Sequence, residues 1–109
     1  MNDKELADAV VALGVGACDV GMGYWLRCEE AYINEDKFVR DWRVAGSLME
    51  KVDWAGANID IEKWSTGYEV AIDGSIYRED ESLPRAIIDA CTEALVESKC
   101  LRIKRSGLS

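Results

Sequence analysis

The spacing of apolar residues predicts a helix over residues 82–95. Ser82 precedes the pattern and can accept a hydrogen bond from a free backbone N–H of the first turn. Pro84 falls in that turn, where its missing N–H costs nothing. The apolar face of this helix needs a sheet or a second helix to cover it. The apolar positions recur at the helical interval and are Leu83, Ile87, Ala90, Cys91, Ala94 and Leu95.

Two more segments carry a helical pattern. Residues 3–13 have apolar residues on one face, with Asn2 or Asp3 as the cap and Gly14 as the stop. Residues 38–52 carry a second stripe, in which Asp41 caps the helix or lies in its first turn. The stripes consist of Leu6, Ala9, Val10 and Leu13 in the first helix, and of Val44, Leu48 and Val52, widened by Ala45 and Met49, in the second.

Alternating apolar and polar residues predict three strands between the last two helices. Strands are expected at 58–64, 68–72 and 75–78, and the pair Asp73-Gly74 is typical of a type I′ hairpin turn. A short strand is also predicted at 24–28. The glycine-rich segment 14–23 and the polar segment 29–37 are expected to be loops, and the chain after Ser98 a tail that is mobile or docked through Leu101 and Ile103.

This order of elements predicts an α+β fold in a single domain at 1–98, followed by a basic C-terminal tail at 99–109. The expected architecture is an α/β/α sandwich with a three- to four-stranded, mainly antiparallel sheet and three helices. Asp60, Glu62 and Glu69 share one face of that sheet. This face is exposed unless helices cover both sides.

Two segments together resemble a known family. Residues 41–51 read DWRVAGSLMEK, an isoleucine-rich hairpin follows, and residues 82–91 read SLPRAIIDAC. Over residues 38–97 the chain resembles the phage ABA sandwich domain family, small proteins encoded mostly by bacteriophages and prophages. The resemblance implies helices on both sides of a sheet. It carries over no catalytic residue.

The charge of the chain is unevenly distributed. The formal net charge is −8, and all 21 acidic residues precede Ser98. Such a surface repels nucleic-acid backbones, so we expect no direct nucleic-acid binding. It suits a basic protein surface, including one that normally holds nucleic acid, although acidity that only maintains solubility is the alternative. Since no long apolar run and no signal-peptide pattern occur, we expect no membrane association and a location in the host bacterial cytoplasm.

The residue types disfavour catalysis. The chain contains no histidine, which removes Ser–His and Cys–His nucleophile pairs and most zinc chemistry. We therefore expect no enzymatic activity, no cofactor and no metal. Cys18, Cys28, Cys91 and Cys100 lack the C-x-x-C spacing of a metal site, so free thiols are expected, with Cys91 in the core.

Acidic clusters and aromatic residues supply the candidate binding positions. Acidic clusters are usually solvated loops and tryptophans are usually core residues, but the clusters can also imitate nucleic-acid charge. Exposed tryptophan beside arginine is typical of a protein hot spot or a base-stacking pocket. The candidate partner-binding residues are Glu29, Glu30, Glu35, Asp36, Trp42, Arg43, Trp64 and Arg78.

These observations lead to one main functional hypothesis and two alternatives. The main one is a non-enzymatic phage accessory protein that binds and inhibits a host defence protein, in the manner of an anti-CRISPR, by blocking a basic surface as a monomer or a homodimer. The first alternative is a sponge that sequesters a nucleotide immune signal, of the anti-CBASS or anti-Thoeris type. The second is a minor structural or assembly protein of the virion.

Overall fold

An antiparallel sheet and one long helix form the centre of the fold in the computed structural model. The structure describes residues 2–19, 23–25 and 32–108, without the side chains of Asp19 and of residues 98–108. The α+β class predicted from the sequence is confirmed. The elements in chain order are α1 (Asp3–Ala12), β1 (Ala17–Asp19), β2 (Gly23–Trp25), α2 (Glu35–Phe38), α3 (Trp42–Trp54), β3 (Ile59–Trp64), β4 (Gly67–Ile72), β5 (Ile76–Asp80) and α4 (Leu83–Leu108).

The three-stranded sheet forms as its alternating pattern and turn residues predict. Its strands lie in the order β3-β4-β5, and both pairings are antiparallel. Asp73 and Gly74 have φ values of 51° and 67°, the two positive values that a type I′ turn requires. The N–H of Ser75 donates to the carbonyl of Ile72 at 3.1 Å and closes this turn. The turn fixes the register of β4 against β5 and thereby the face on which each side chain lies.

The hydrophobic core lies between the sheet and the helices. Val70, Ile72 and Ile76 are buried on the sheet side, and Ile87 and Ile88 are buried on α4. Helix α4 packs on β4 and β5, and α3 packs against α4. Cys91 is fully buried in this core, as predicted. Burial raises the pKa of its thiol to about 12, so the thiol stays protonated at neutral pH.

The helix boundaries follow from local caps. The side chain of Asn2 accepts a hydrogen bond from the N–H of Glu5 at 2.8 Å, which confirms Asn2 as the cap of α1. Asp41 accepts from the N–H of Arg43 at 2.8 Å, so α3 begins at Trp42 rather than at Phe38 as predicted. Phe38 instead ends α2, a fourth helix that the sequence pattern missed.

The front of the chain differs from the predicted loop. Strands β1 and β2 pair antiparallel, and Tyr24 exchanges backbone hydrogen bonds with Ile33 at 2.8 and 2.7 Å. A side chain at Gly23 would come within 2.6 Å of the carbonyl oxygen of Ile33, so glycine permits this approach. The strand predicted at 24–28 is observed as far as Trp25, and residues 26–31 lie outside the described residues.

One further prediction about the architecture is corrected. The helical backbone of α4 continues through Leu108 and so includes residues 99–108 of the predicted basic tail, whose mobile or docked state stays a prediction. The face of the sheet that carries Asp60, Glu62 and Glu79 is exposed, so the described helices cover only the opposite face. The two-sided helix arrangement of a sandwich is therefore not observed in the part of the chain that is described.

Within residues 2–19, 23–25 and 32–108, none of the helices combines the length and the apolar character that crossing a membrane requires.

A buried arginine joins the two ends of the domain. Arg85, in the first turns of α4, is only 8% exposed. Its Nε donates to Asp3 Oδ1 at 2.9 Å, and its Nη1 lies 3.4 Å from Asp80 Oδ2 and 3.7 Å from Asp89 Oδ2. Arg40 donates to the second oxygen of Asp3, also at 2.9 Å. Burial opposes ionisation of Asp3, but hydrogen bonds and charge from both arginines outweigh it and lower the pKa of the carboxyl.

Replacing Asp3 with asparagine should destabilise the protein at neutral pH. Asp3→Asn leaves Arg85 buried without its nearest carboxylate, and we expect the free energy of unfolding at pH 7 to fall by about 2 kcal/mol. The pKa of Asp3 is lower in the folded state than in the unfolded state. Ionised Asp3 therefore stabilises the fold above its unfolded pKa of about 3.9, and this stabilisation is lost as the pH falls through its folded pKa. The difference between the two proteins should therefore shrink in acid, as measured by urea denaturation.

Asp53→Asn is the matched control, since Asp53 is exposed on α3 and the substitution removes the same charge. It should leave the unfolding free energy nearly unchanged. A stability difference for Asp3→Asn that stays constant from neutral to strongly acid pH would contradict the role assigned to the Asp3 carboxylate.

Candidate functional site

The outer face of the three-stranded sheet collects acidic and aromatic side chains. Side chains alternate between the two faces along each strand, and the pairing register places the face positions of neighbouring strands side by side. Ile59, Ile61, Val70, Ile72 and Ile76 share the helix side. The acidic sheet face, on the other side, consists of Asp60, Glu62, Trp64, Glu69, Tyr77 and Glu79.

Three glutamates, one on each strand, lie side by side across this face. Glu62 pairs with Glu69, and Glu69 pairs with Glu79, in the registers of β3 with β4 and of β4 with β5. Like charges directly opposite each other destabilise a sheet. Desolvation, together with the neighbouring carboxylates of Glu79 and Glu62, raises the pKa of Glu69. This glutamate row therefore places concentrated negative charge on the surface at a local cost in stability.

Two large aromatic side chains border the glutamate row. Trp64 is 50% exposed and Tyr77 is 52% exposed. The hydroxyl of Tyr77 donates to the carbonyl of Gly74 at 2.8 Å, which fixes the ring at the end of the β4–β5 hairpin. Trp64 lies at the opposite end of the face, where β3 turns into β4. The row thus has one exposed aromatic ring at each end.

A groove opens beside Trp64. It has a volume of about 270 Å³, and the residues that line it include Trp64, Tyr68 and the acidic Glu79 and Glu81. Gly67, with φ of 152°, lies close to β5 at this groove, since a side chain there would lie 2.6 Å from the carbonyl oxygen of Asp80. Aromatic and carboxylate walls suit a cationic side chain, because a cation is attracted both to a ring face and to negative charge.

The charge of the acidic sheet face has no counterpart on that face. Among its described residues, none is a lysine or arginine. Lys63 and Arg78 lie on the neighbouring strand positions and therefore on the helix side. Within the described part of the chain, no group of three or more histidine, cysteine, aspartate or glutamate side chains is arranged to hold a metal ion. The row is therefore available to an external basic group.

Of the predicted site residues that the structure describes, only Trp64 lies on this face. Arg78 lies on the helix side of β5, where it forms ion pairs with Asp89, at 3.6 Å, and with Glu93 of α4. Its position is that of a structural link between sheet and helix. Glu29 and Glu30 lie outside the described residues.

The remaining predicted site residues lie on α2 and α3. Trp42 is 61% exposed at the start of α3. Arg43 is engaged locally, because its Nη2 lies 2.7 Å from Asp41 Oδ2. A hydrogen bond and charge from Arg43 lower the pKa of Asp41. Glu35 and Asp36 line a separate groove between the start of α1 and α2.

Sequence reasoning placed Asp60, Glu62 and Glu69 on one face of the sheet but did not identify that face as a candidate binding surface. The signal was present, because the even-numbered positions of β3 are acidic or aromatic and the turn at Asp73-Gly74 sets the register of the next strands. Placing Glu79 and Tyr77 on the same face required β5 to extend to Asp80, beyond the predicted end at residue 78. Counting charge clusters along the chain overlooked a cluster that forms only across strands.

Comparison of the chain with protein-family models, with curated proteins and with solved structures finds no match. The resemblance to the phage ABA sandwich domain family stays a prediction.

Removing one charge from the middle of the glutamate row should stabilise the fold. Glu69→Gln eliminates the repulsion from both neighbours, and we expect a higher urea midpoint at neutral pH. The folded-state pKa of Glu69 is raised, so the native state takes up this proton more readily than the unfolded chain does. Lowering the pH through the folded value therefore relieves the repulsion in the wild-type protein. The advantage of Glu69→Gln should disappear as the pH approaches the ordinary carboxyl range.

Glu50→Gln, an exposed substitution on α3, controls for the change in net charge. If it raised the midpoint as much as Glu69→Gln, the effect would belong to overall charge rather than to the row.

Proposed function

We propose that the protein is a non-catalytic bacteriophage protein that inhibits a host component by covering a basic surface with its acidic sheet face. The observation that carries this proposal is the uncompensated row of Glu62, Glu69 and Glu79 between two exposed aromatic rings. Charge and aromatic anchors on one surface are the usual components of a specific protein interface.

The dimensions of the row fit a surface that binds nucleic acid. Neighbouring strands are about 4.8 Å apart, so the three carboxylates extend over roughly 10 Å. A nucleic-acid-binding surface carries lysine and arginine side chains placed to meet closely spaced phosphates. Because the strands are already ordered, a sheet that presents negative charge at comparable intervals loses less conformational entropy on binding than a flexible acidic segment would.

The Trp64 groove supplies an anchor at one end of the interface. An arginine side chain of the partner can stack on the Trp64 ring while its guanidinium faces Glu79 or Glu81. Hot spots in protein interfaces commonly consist of such aromatic and arginine contacts. The groove would give the interaction specificity beyond long-range charge attraction.

The phage setting and the host target are supported by the sequence rather than by the site. Residues 41–51 and 82–91 resemble the phage ABA sandwich domain family. The absence of histidine from the chain favours inhibition by occlusion over catalysis. The charge pattern fits one class of target, host defence proteins that bind nucleic acid through basic surfaces. The protein would meet such a target in the host cytoplasm.

The nucleotide-sponge alternative receives no support from the described grooves. The groove beside Trp64 contains Glu79, Asp80 and Glu81, and the groove at α2 contains Glu35 and Asp36. Both would repel the phosphates of a nucleotide signal. We therefore keep the protein-binding function as the proposal.

Reversing the charge of the glutamate row should abolish partner binding. The test variant combines Glu62→Lys, Glu69→Lys and Glu79→Lys, and wild-type and variant proteins are used to capture proteins from nuclease-treated bacterial lysate. A protein retained by the wild type should bind the variant at least about 100-fold more weakly, because attraction becomes repulsion. The wild type should also displace nucleic acid from that protein in competition, and its affinity should fall with added salt.

The matched control combines Glu50→Lys, Asp53→Lys and Glu97→Lys, which changes the net charge equally at exposed helix positions. It should retain the partner with an affinity close to that of the wild type. Equal loss in both variants, or an affinity that does not respond to salt, would rule out docking by the acidic sheet face.

A further inference from the structure

Strand β3 is an edge strand with an open hydrogen-bonding side. The sheet order is β3-β4-β5, and among the described residues no strand pairs with the outer side of β3. The N–H of Asp73 donates to the carbonyl of Asn58 at 2.9 Å, which shows that even-numbered residues of this strand bond to β4. The antiparallel pattern then directs the N–H and C=O groups of Ile59, Ile61 and Lys63 outward.

Only the first residue of β3 packs against the core: Ile59 is half-buried there, whereas residues 60–64 are exposed. Helix α4 packs mainly on β4 and β5. Ile61 therefore remains 44% exposed although it lies on the helix side, and Lys63 beside it is exposed as well. On the other face, Asp60 and Glu62 are exposed. An added strand would have room for side chains on both of its faces.

We propose that the open edge of β3 accepts an extended segment of the basic partner as an additional antiparallel strand. The segment would carry basic side chains opposite Asp60 and Glu62, where they continue the contact with the acidic sheet face. It would carry apolar side chains opposite Ile59 and Ile61, and an acidic one opposite Lys63. This proposal rests on the proposed function and specifies the partner: a strand with alternating basic and apolar residues.

Charge complementarity decides between such a partner and a second copy of the chain. Two copies joined through β3 are related by a two-fold axis, so their acidic faces lie on the same side. Two symmetric antiparallel pairings of β3 with β3 of the second copy include most of the strand. One places Glu62 opposite Glu62 of the second copy, and the other places Asp60 opposite Glu62 of the second copy. Like charges in directly opposite positions disfavour that assembly. A basic strand faces no such repulsion.

Charged residues on an edge strand ordinarily prevent unwanted pairing. On β3 the charged residues also select which segments can pair, because the two faces of the strand favour different types of side chain on the added segment. Lys63 disfavours a segment that is basic throughout, because like charges repel, whereas Ile61 disfavours one that is polar throughout, because it offers no apolar contact. Backbone hydrogen bonds would supply affinity, and the alternation would supply specificity.

The test uses two hexapeptides of identical composition with blocked ends. The first, Arg-Glu-Lys-Val-Lys-Val, places its residues in order opposite positions 64 to 59 of an antiparallel β3. The second, Val-Val-Glu-Arg-Lys-Lys, has the same charge without the alternation. Titration of the full-length protein followed by NMR should give at least about tenfold tighter binding of the first peptide. Equal affinity for the two peptides would overturn the proposal.

Hydrogen exchange identifies the bonds that form. With the first peptide bound, the amides of Ile59, Ile61 and Lys63 should exchange more slowly, while those of Asp60 and Glu62, already bonded to β4, should not change. Methylating the backbone nitrogen of the fourth peptide residue, which faces β3, should abolish this protection, whereas methylating the third, which faces away, should not. Unchanged exchange at the three outward amides would also overturn edge pairing.

Substitutions separate this proposal from the proposed function. Ile61→Pro removes one outward N–H without touching a bond to β4, and Ile61→Val retains that N–H. The first should lose peptide binding and the second should keep it. If a captured partner still binds the triple-lysine variant as tightly as the wild type and protects the outward amides, edge pairing holds and docking through the acidic sheet face fails. If a captured partner depends on the row but protects none of these amides, edge pairing fails and the proposed function stands.

Discussion

The contact between Arg85 and Asp3 is the constraint on which the arrangement of the domain depends. It joins the start of the first helix to the start of the last, and Asp80 extends it to the end of the sheet. Because Arg85 is buried, its charge requires these carboxylates in place, and their positions fix how α1 and α4 meet. The apolar side of α4 packs on β4 and β5, and the opposite side of the sheet faces solvent.

The sequence predicted best those elements whose determinants are local. Asn2, Asp41 and the Asp73-Gly74 turn each act within a few residues, and each is observed where its pattern placed it. The front of the chain follows different rules. Tyr24 pairs with Ile33 through the backbone and donates its hydroxyl to Asp8 at 2.6 Å, and its ring stacks on Phe38. These contacts join residues that are well separated in the sequence, so no local sequence pattern predicts them.

The candidate site shows the same division. Trp64 is a candidate from the sequence because it ends its strand, and it is half-exposed. Arg78 is a candidate as an arginine that could lie beside an exposed tryptophan, but it lies on the helix side of β5, bound to Asp89 and Glu93. Only the cross-strand register distinguishes the two. The repulsion within the glutamate row lowers the stability of the sheet locally, and it is the observation on which the proposed binding role of this face rests.

The exposed position of β3 also bears on how long the protein survives in a cell. Segments held by few packed side chains open at lower free energy than the whole domain, and proteases cleave the opened form. Because residues 60–64 are exposed, we expect β3 to open before the strands beneath α4, and its exposed Lys63 offers a basic cleavage position. An occupant on this edge would draw the population toward the closed form by mass action. If the proposed strand binds there, free protein would be degraded faster than bound protein, so the abundance of the protein would follow that of the proposed partner.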